Sequence, residues 1–414
     1  AFSVFGVTDF AARFFPALFA AAGLGLTYAF ARRLYDERTA FWSALILGTS
    51  VLYSFLAKLI LTDLSLFVFF GGTLAAFYIG YRERRRSFFY IAYACAGLAV
   101  LTKGPIGFLL PGLIILVFLL AARDLSALGR VCLPTGLLVF AAVCAPWYVY
   151  MYLVHGADFV NTFLGIHNVL RATVSEHAQW DVWYFYLGIY VLGMFPWSFA
   201  LPLALFRAWR VRPVVETRTL FLLVWAIVVP VFFQMMATKY PTYSFPAFLP
   251  TAILTARLLA QNTRVLKAGA IVGMGLYLAV VFAATNYAGR DGHFSGRGAA
   301  EILSRTMQTD DLLVCYGDYT ATVPYYTGHT MYELATREEI AARAPREMSW
   351  NSKNVMPFLP IDELPADRTV YLVLERHAFD AFEEKFAGQG WEELGALPAE
   401  GRTKLRLYRR TVQP

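Results

Sequence analysis

The sequence predicts an α-helical polytopic membrane protein that ends in a small soluble α/β domain, and three observations lead there. Of its 414 residues 58% are hydrophobic and only 16% charged, with a mean hydropathy of +0.51, outside the range of ordinary soluble domains. Apolar runs of roughly 20 residues, the length needed to cross a hydrocarbon core about 30 Å thick, recur up to residue 285. Beyond that point the character changes, because residues 286–414 hold 19 of the 29 acidic residues and 15 of the 36 basic ones. The reading therefore divides the chain into a transmembrane domain, 1–286, and a soluble extracytoplasmic α/β domain, 287–414.

Periodicity says little in segments that are apolar all round, so length and charged punctuation place the spans. The first, 10–31, stops at Arg32-Arg33, and 39–57 follows after Arg38. The third, 62–81, opens at Asp63 and stops at the RERRR run. Spans 88–102 and 105–122 are joined through Gly104-Pro105, a tight-turn pair. Then come 131–153, a long polar loop over 154–183, and spans 184–206, 219–237, 242–260 and 267–286, ten in all.

Alternate loops fall into two sets. One holds 16 basic residues, among them Arg82, Arg84, Arg85, Arg86, Arg210 and Arg212; the other, before the tail, has Arg13, Lys58, Lys103, Arg171 and Lys239. The positive-inside rule makes the first set cytoplasmic and puts residue 1 and the tail outside. This distribution also accounts for most of the net charge of +7 and excludes a nucleic-acid groove, since the arginines are spread over five short loops.

The tail reads as helix (AAEILSRTM), buried strands (DLLVCYG and TVYLVLE), amphipathic helix (AFDAFEEKF) and final strand (KLRLYRR), which argues for a parallel or mixed sheet. Its single cysteine, Cys315, allows no disulfide within it. The first residue is Ala rather than Met and no signal peptide precedes the first apolar run, so the chain is read as lacking its natural N-terminus.

With the inner face explained by topology, the informative residues are the few outer charges. In ATKYPTYSFPAFLP, 237–250, three prolines disfavour a regular helix at the membrane boundary. Lys239 offers a point charge there, and Tyr240 and Tyr243 offer hydroxyls beside flat apolar faces. That corner suits an anionic headgroup on a lipid tail; it equally suits a lysine that snorkels to the interface within an aromatic belt. Lys103, at the turn LTKGPIG, repeats the pattern, and two such cations in one cavity clamp a phosphate. Asp63 is either an N-cap or a carboxylate that orients a substrate hydroxyl or amine. The loop HNVLRATVSEH adds His167 and Arg171, four apart and on one face if helical, in a spacing unlike any closed zinc site.

Taken in this order, these pieces resemble the GT-C glycosyltransferases that use polyprenyl-phosphate sugars, above all the aminoarabinose transferase group of lipid A and its family 39 relatives, which include the protein O-mannosyltransferases. The matching stretches are GVTDFAARFFPALF, AKLILTDLSLFVFF, AGLAVLTKGPIGFLLPGL, HNVLRATV with FPWSFALPLAL, and ATKYPTYSFPAFLPTAILTARLLA, spread over residues 6–260. The resemblance implies a multi-pass protein of the bacterial inner membrane with a periplasmic tail. It implies transfer of a sugar, with inversion, from a polyprenyl-phosphate carrier to a glycolipid or protein acceptor. By motif, Lys239 and Tyr243 would contact the donor phosphate, with Tyr240 beside them. Lys103 would line the same cavity, Arg171 would reach the phosphate from the loop, and Asp63 would hold sugar or acceptor. His167 matches a loop where some relatives bind a metal; the reading assigns no cofactor and leaves a divalent metal open. In the family the catalytic base lies in a first outer loop that would precede residue 1, so the base is expected to be absent from these residues and Asp9 is not promoted to that role.

The competing reading is a transporter or flippase of lipid-linked saccharides. Against it stand the lack of an internal span repeat and of ionisable residues at a predicted bilayer midplane.

Overall fold

The computed structural model describes residues 1–200, 216–260, 262–283, 296–344, 356–396 and 405–411, apart from the side chains of Leu164, His167 and Arg376. The chain forms two compact units, Ala1–Leu278 and Ala279–Pro414.

The first unit is helical. Helix α1 (Asp9–Leu34) is capped by the Thr8 hydroxyl, which accepts from the Ala11 N–H. It packs on α2 (Glu37–Gly48) and on α4 (Asp63–Glu83). The expected span at 39–57 is instead two pieces, α2 and α3 (Val51–Leu56). The break has a local cause: Thr49 Oγ1 donates to Leu45 O and Ser50 Oγ to Leu47 O, so side chains compete with the next helical turn for its carbonyls. Helices α5 (Arg86–Lys103) and α6 (Ile106–Ala121) form a hairpin, followed by α7 (Leu133–Val160), which breaks at Gly156 (φ 57°). A π-helical stretch, Asn161–Leu170, leads to Arg171–Thr173.

Of the segment expected at 184–206, α8 (Phe185–Gly193) is described, together with a 3₁₀ turn at Trp197–Phe199; residues 201–206, and the basic residues Arg207, Arg210 and Arg212, lie outside the described residues. Next come α9 (Thr217–Gln234), α10 (Phe248–Leu259) and α11 (Thr263–Ala283). The span expected at 242–260 is shortened, since Pro241 and Pro246 leave turns until Phe248. Among the described residues five helices are long and apolar enough to cross a membrane: α1, α4, the α7 run to Thr173, α9 and α11.

Helix α4 is the centre of this unit. Phe67, Phe70, Leu74, Phe77 and Tyr78 are all buried, and Tyr78 stacks on Phe221 of α9 at 4.6 Å. Arg33 pairs with Glu83 at 3.0 Å, and Arg218 and Arg257 flank the Tyr35 ring.

The second unit is a six-stranded mixed sheet of order β3-β2-β1-β4-β6-β5: β1 (Leu312–Tyr316), β2 (Met331–Ala335), β3 (Phe358–Pro360), β4 (Val370–Glu375), β5 (Glu392–Ala396) and β6 (Leu405–Arg410). The first four are parallel neighbours and β6 runs antiparallel to β4 and β5. Alternation assigns the two faces. Leu313, Cys315, Tyr371 and Val373 pack with Ala299 and Leu303 of α12 (Arg297–Thr306) and Val323 of α13 (Thr322–Thr327). On the other face Val314, Leu372 and Leu374 pack with Phe382 and Phe386 of α15 (Phe379–Phe386). Helix α14 (Arg337–Arg343) opens with a capping box between Thr336 and Glu339.

Candidate active site

Helix α5 ends at Lys103 because Gly104 takes a backbone (φ 90°) that a side chain disfavours, while its N–H still closes on Val100 O at 2.7 Å. Pro105 then starts α6, and Gly107 lies so close to α5 that a Cβ there would sit 2.5 Å from the Ala99 carbonyl carbon. The hairpin thus fixes where Lys103 emerges. Its Nζ lies 2.5 Å from Asp63 Oδ1 and 5.3 Å from the Tyr243 ring centroid. Asp63 is the first residue of α4 and only 6% exposed. The N-cap position belongs to Thr62, which makes no side-chain cap bond, so the carboxylate serves Lys103.

A second set of contacts sews the outer loop to the segment after α9. Ala237 N–H donates to Ala172 O (3.1 Å) and Thr238 N–H to Arg171 O (3.0 Å). The Thr238 hydroxyl donates to Val174 O at 2.8 Å and accepts from Glu176 N–H at 3.1 Å. Tyr186 of α8 donates its hydroxyl to Tyr240 O at 3.2 Å, and Gln234 of α9 donates to Val182 O at 2.8 Å. With these backbone groups paired, the loop can leave regular structure near an apolar medium.

Lys239 is buried, 3% exposed, and pairs with Asp181 while donating to Met236 O at 3.0 Å. Arg171 lies 3.6 Å from Glu176 and stands 5.6 Å from the Tyr240 ring centroid. Burial, then the hydrogen bond to Glu176, push the Tyr240 hydroxyl up to about 12, so it is a neutral donor over the working pH range.

Between the two corners lies a cavity of about 290 Å³. Lys103, Arg171, Tyr243, Asn168, Thr238 and Thr242 provide its polar lining; Leu66, Phe70, Ile106, Leu109, Leu110, Phe232, Phe233 and Met236 provide an apolar one. The expected residues thus separate into two groups. Lys103, Arg171 and Tyr243 line the cavity, with Asp63 behind Lys103. Lys239 and Tyr240 stand beside it, and Lys239 is turned to Asp181 instead of the cavity. His167 falls in the π-helical stretch, but its side chain lies outside the described residues. Sequence reasoning missed Asp181, Glu176 as the partner of Arg171, and Thr238. The acidic residues were visible in an aromatic loop, but nothing in sequence spacing pairs them with cations contributed from elsewhere.

Each of the three cations therefore has one carboxylate partner: Lys103 with Asp63, Arg171 with Glu176, Lys239 with Asp181. An apolar chamber with paired cations at one end suits an amphiphile with an anionic head.

The family described as dolichyl-phosphate-mannose-protein mannosyltransferase matches residues 1–150. A protein of Aquifex aeolicus is 32% identical over 267 residues, 64% of this chain and 52% of that protein. The undecaprenyl phosphate-alpha-4-amino-4-deoxy-L-arabinose arabinosyl transferase of Pseudomonas aeruginosa (strain UCBPP-PA14) is 31% identical over 284 residues, 66% of this chain and 50% of the transferase. The chain spans about half the length of the curated relatives it matches. Among solved structures, ArnT from Cupriavidus metallidurans bound to undecaprenyl phosphate superposes with a TM-score of 0.80 at 20% identity, over 99% of this chain and 85% of that one. The chain shares the fold of this ArnT structure. The archaeal oligosaccharyltransferase AglB from Archaeoglobus fulgidus shares it more distantly, with a TM-score of 0.52 at 14% identity over 89% of this chain and 59% of that one. Within this frame, the broken helices around 49–50 and 241–247 are departures from simple spans, and the second of them carries Tyr243.

Proposed function

We propose that the chain is the membrane part, with a soluble domain, of a glycosyltransferase that takes a sugar from a polyprenyl-phosphate carrier and places it on a glycolipid of the lipid A kind or on a protein. The observation that carries this reading is the convergence of Lys103, Arg171 and Tyr243 on one largely apolar cavity. As the glycosyl bond breaks, negative charge grows on the departing phosphate and positive charge on the sugar. Fixed cations at the phosphate then stabilise the transition state more than the ground state. In this assignment Lys103 and Arg171 hold the phosphate, Tyr243 packs against the sugar, and Asp63 orients Lys103 and a hydroxyl of sugar or acceptor. Lys239 and Tyr240 hold the loop that carries Tyr243. An acceptor that attacks opposite the phosphate gives inversion. A divalent metal near His167 belongs to this reading as an optional stabiliser of the loop.

In this reading the ten apolar segments of the sequence lie in the bacterial inner membrane, with residues 1–286 as the transferase domain and 287–414 on the periplasmic face. Membrane lipids surround it and no nucleic acid is involved.

The test is reconstitution of the natural full-length protein in lipid vesicles with a radiolabelled polyprenyl-phosphate sugar. Label that moves to glycolipid or protein, and stops moving in Lys103→Ala, supports the assignment. Label that stays on its carrier but crosses the bilayer makes the protein a transporter.

A further inference from the structure

We propose a divalent transition-metal site in the second unit, formed by Asp318, Glu375 and His377, which is independent of the membrane cavity. One ligand atom from each residue lies within 4.8 Å of the others. His377 Nδ1 and Glu375 Oε2 are 3.4 Å apart. Ligand atoms bound at about 2.1 Å around one tetrahedral ion stand about 3.4 Å from each other, so this pair already has ligating separation. Asp318 is exposed and has freedom to close the remaining distance by rotating its side chain.

The place in the fold is equally specific. Glu375 closes β4, Asp318 follows β1, and these strands are parallel neighbours. From β1 the chain moves outward through β2 to β3, whereas β4 lies on the other side of β1. The strand order therefore reverses between β1 and β4. The helices that follow the two strands pack on opposite faces, α13 on one and α15 on the other. In open α/β sheets the crevice beyond the carboxyl ends of strands at such a reversal is where ligands bind.

The two loops are also built to meet. Gly317 adopts φ 97°, and a Cβ there would lie 3.1 Å from Ala378 Cβ and 3.4 Å from His377 Nε2. The Thr320 hydroxyl donates to Glu375 Oε1 at 3.2 Å, which leaves the other carboxylate oxygen toward His377. Outer partners of this kind orient metal ligands. Two carboxylates with one imidazole and no thiolate favour zinc or manganese over copper(I). Three protein ligands leave coordination positions for water or an anionic group.

The experiment is calorimetric titration of the chelator-treated, tag-free chain in detergent micelles with zinc chloride, repeated with cobalt(II) to read its absorption spectrum. With every protein carrying His167→Ala, which removes the loop imidazole considered above, one site per chain with a nitrogen-oxygen spectrum is expected. It weakens at least about tenfold in Asp318→Asn, Glu375→Gln and His377→Gln, and about tenfold in Thr320→Ala. Metal-free circular dichroism and thermal unfolding show that each variant is folded. No zinc binding by the unaltered chain, a cobalt-thiolate charge-transfer band, or undiminished binding by the folded His377→Gln variant each overturns the proposal.

Discussion

Lys103 Nζ approaches Asp63 Oδ1 to 2.5 Å while facing the Tyr243 ring at 5.3 Å, so one cation joins α4, α5 and the segment before α10. Lys103→Ala leaves a carboxylate that is 6% exposed without its partner, at a cost of about 2 kcal/mol. Combining it with Asp63→Asn recovers part of this loss, a coupling of about 1 kcal/mol or more in detergent unfolding. Additive single and double variants would show that the pair contributes nothing.

Arg171→Ala weakens binding of a polyprenyl phosphate to the purified chain by about 10- to 100-fold, the loss of one charge-assisted contact of about 1.5–3 kcal/mol. Arg171→Lys retains charge without the two-pronged geometry and falls between. Equal affinity in all three proteins would remove Arg171 from the phosphate site.

Asp181→Asn leaves buried Lys239 without its carboxylate. The variant melts lower than the parent and exchanges its amides faster over 237–243, because the loop that carries Tyr243 loses an anchor. An unchanged melting temperature and exchange rate would contradict that anchoring role.

Tyr240 ionises near 12 because of burial and Glu176, so its folded-state value is above its ordinary value of 10.0. Its contribution to stability is then complete below pH 10 and disappears between pH 10 and 12. Tyr240→Phe removes this share of the alkaline loss; identical melting profiles of parent and variant over that range would count against it.

Glu339 is held below its ordinary carboxylate value, first by the Thr336 backbone N–H. A depressed carboxyl stabilises above its unfolded-state value and loses that contribution as pH falls through the folded one, so α14 loosens in acid. Thr336→Ala removes half of the capping box, costs about 1 kcal/mol, and speeds amide exchange over 337–343 at neutral pH. Unchanged exchange there would refute the cap's role.

Much of this architecture was legible because it rests on local composition. The runs at 10–31 and 62–81 are apolar for their full length, and α1 and α4 follow them closely. Strands β1 and β4 form where DLLVCYG and TVYLVLE were read, since alternating buried faces of a covered sheet leave almost no polar position. The break at Thr49-Ser50 was hidden because its cause is two hydroxyls that donate to backbone carbonyls within an otherwise apolar segment. Strands β2, β3 and β5 were missed; β3 has three residues, too few for a period, and β5 carries Glu392 and Glu393 at the sheet edge.

In the candidate site, composition singled out Lys103, Lys239 and Asp63 as costly residues near a membrane boundary. It was silent on which carboxylate each cation takes, because Lys103 and Asp63 are 40 positions apart and Lys239 and Asp181 are 58 apart. That choice is made only when α4, α5 and the outer loop pack.

The pairing of the two chamber-lining cations, Lys103 and Arg171, each with its own carboxylate makes occupancy of the chamber a counter-ion exchange. An incoming headgroup must loosen at least one internal acid before it gains a base. Singly charged, weakly coordinating anions then have little advantage over the acids already present, whereas a phosphate, with several acceptor oxygens on one atom, can engage two bases together. The arrangement filters by valence without a dedicated gate, and chloride at physiological strength should leave the pocket open to a phosphate headgroup.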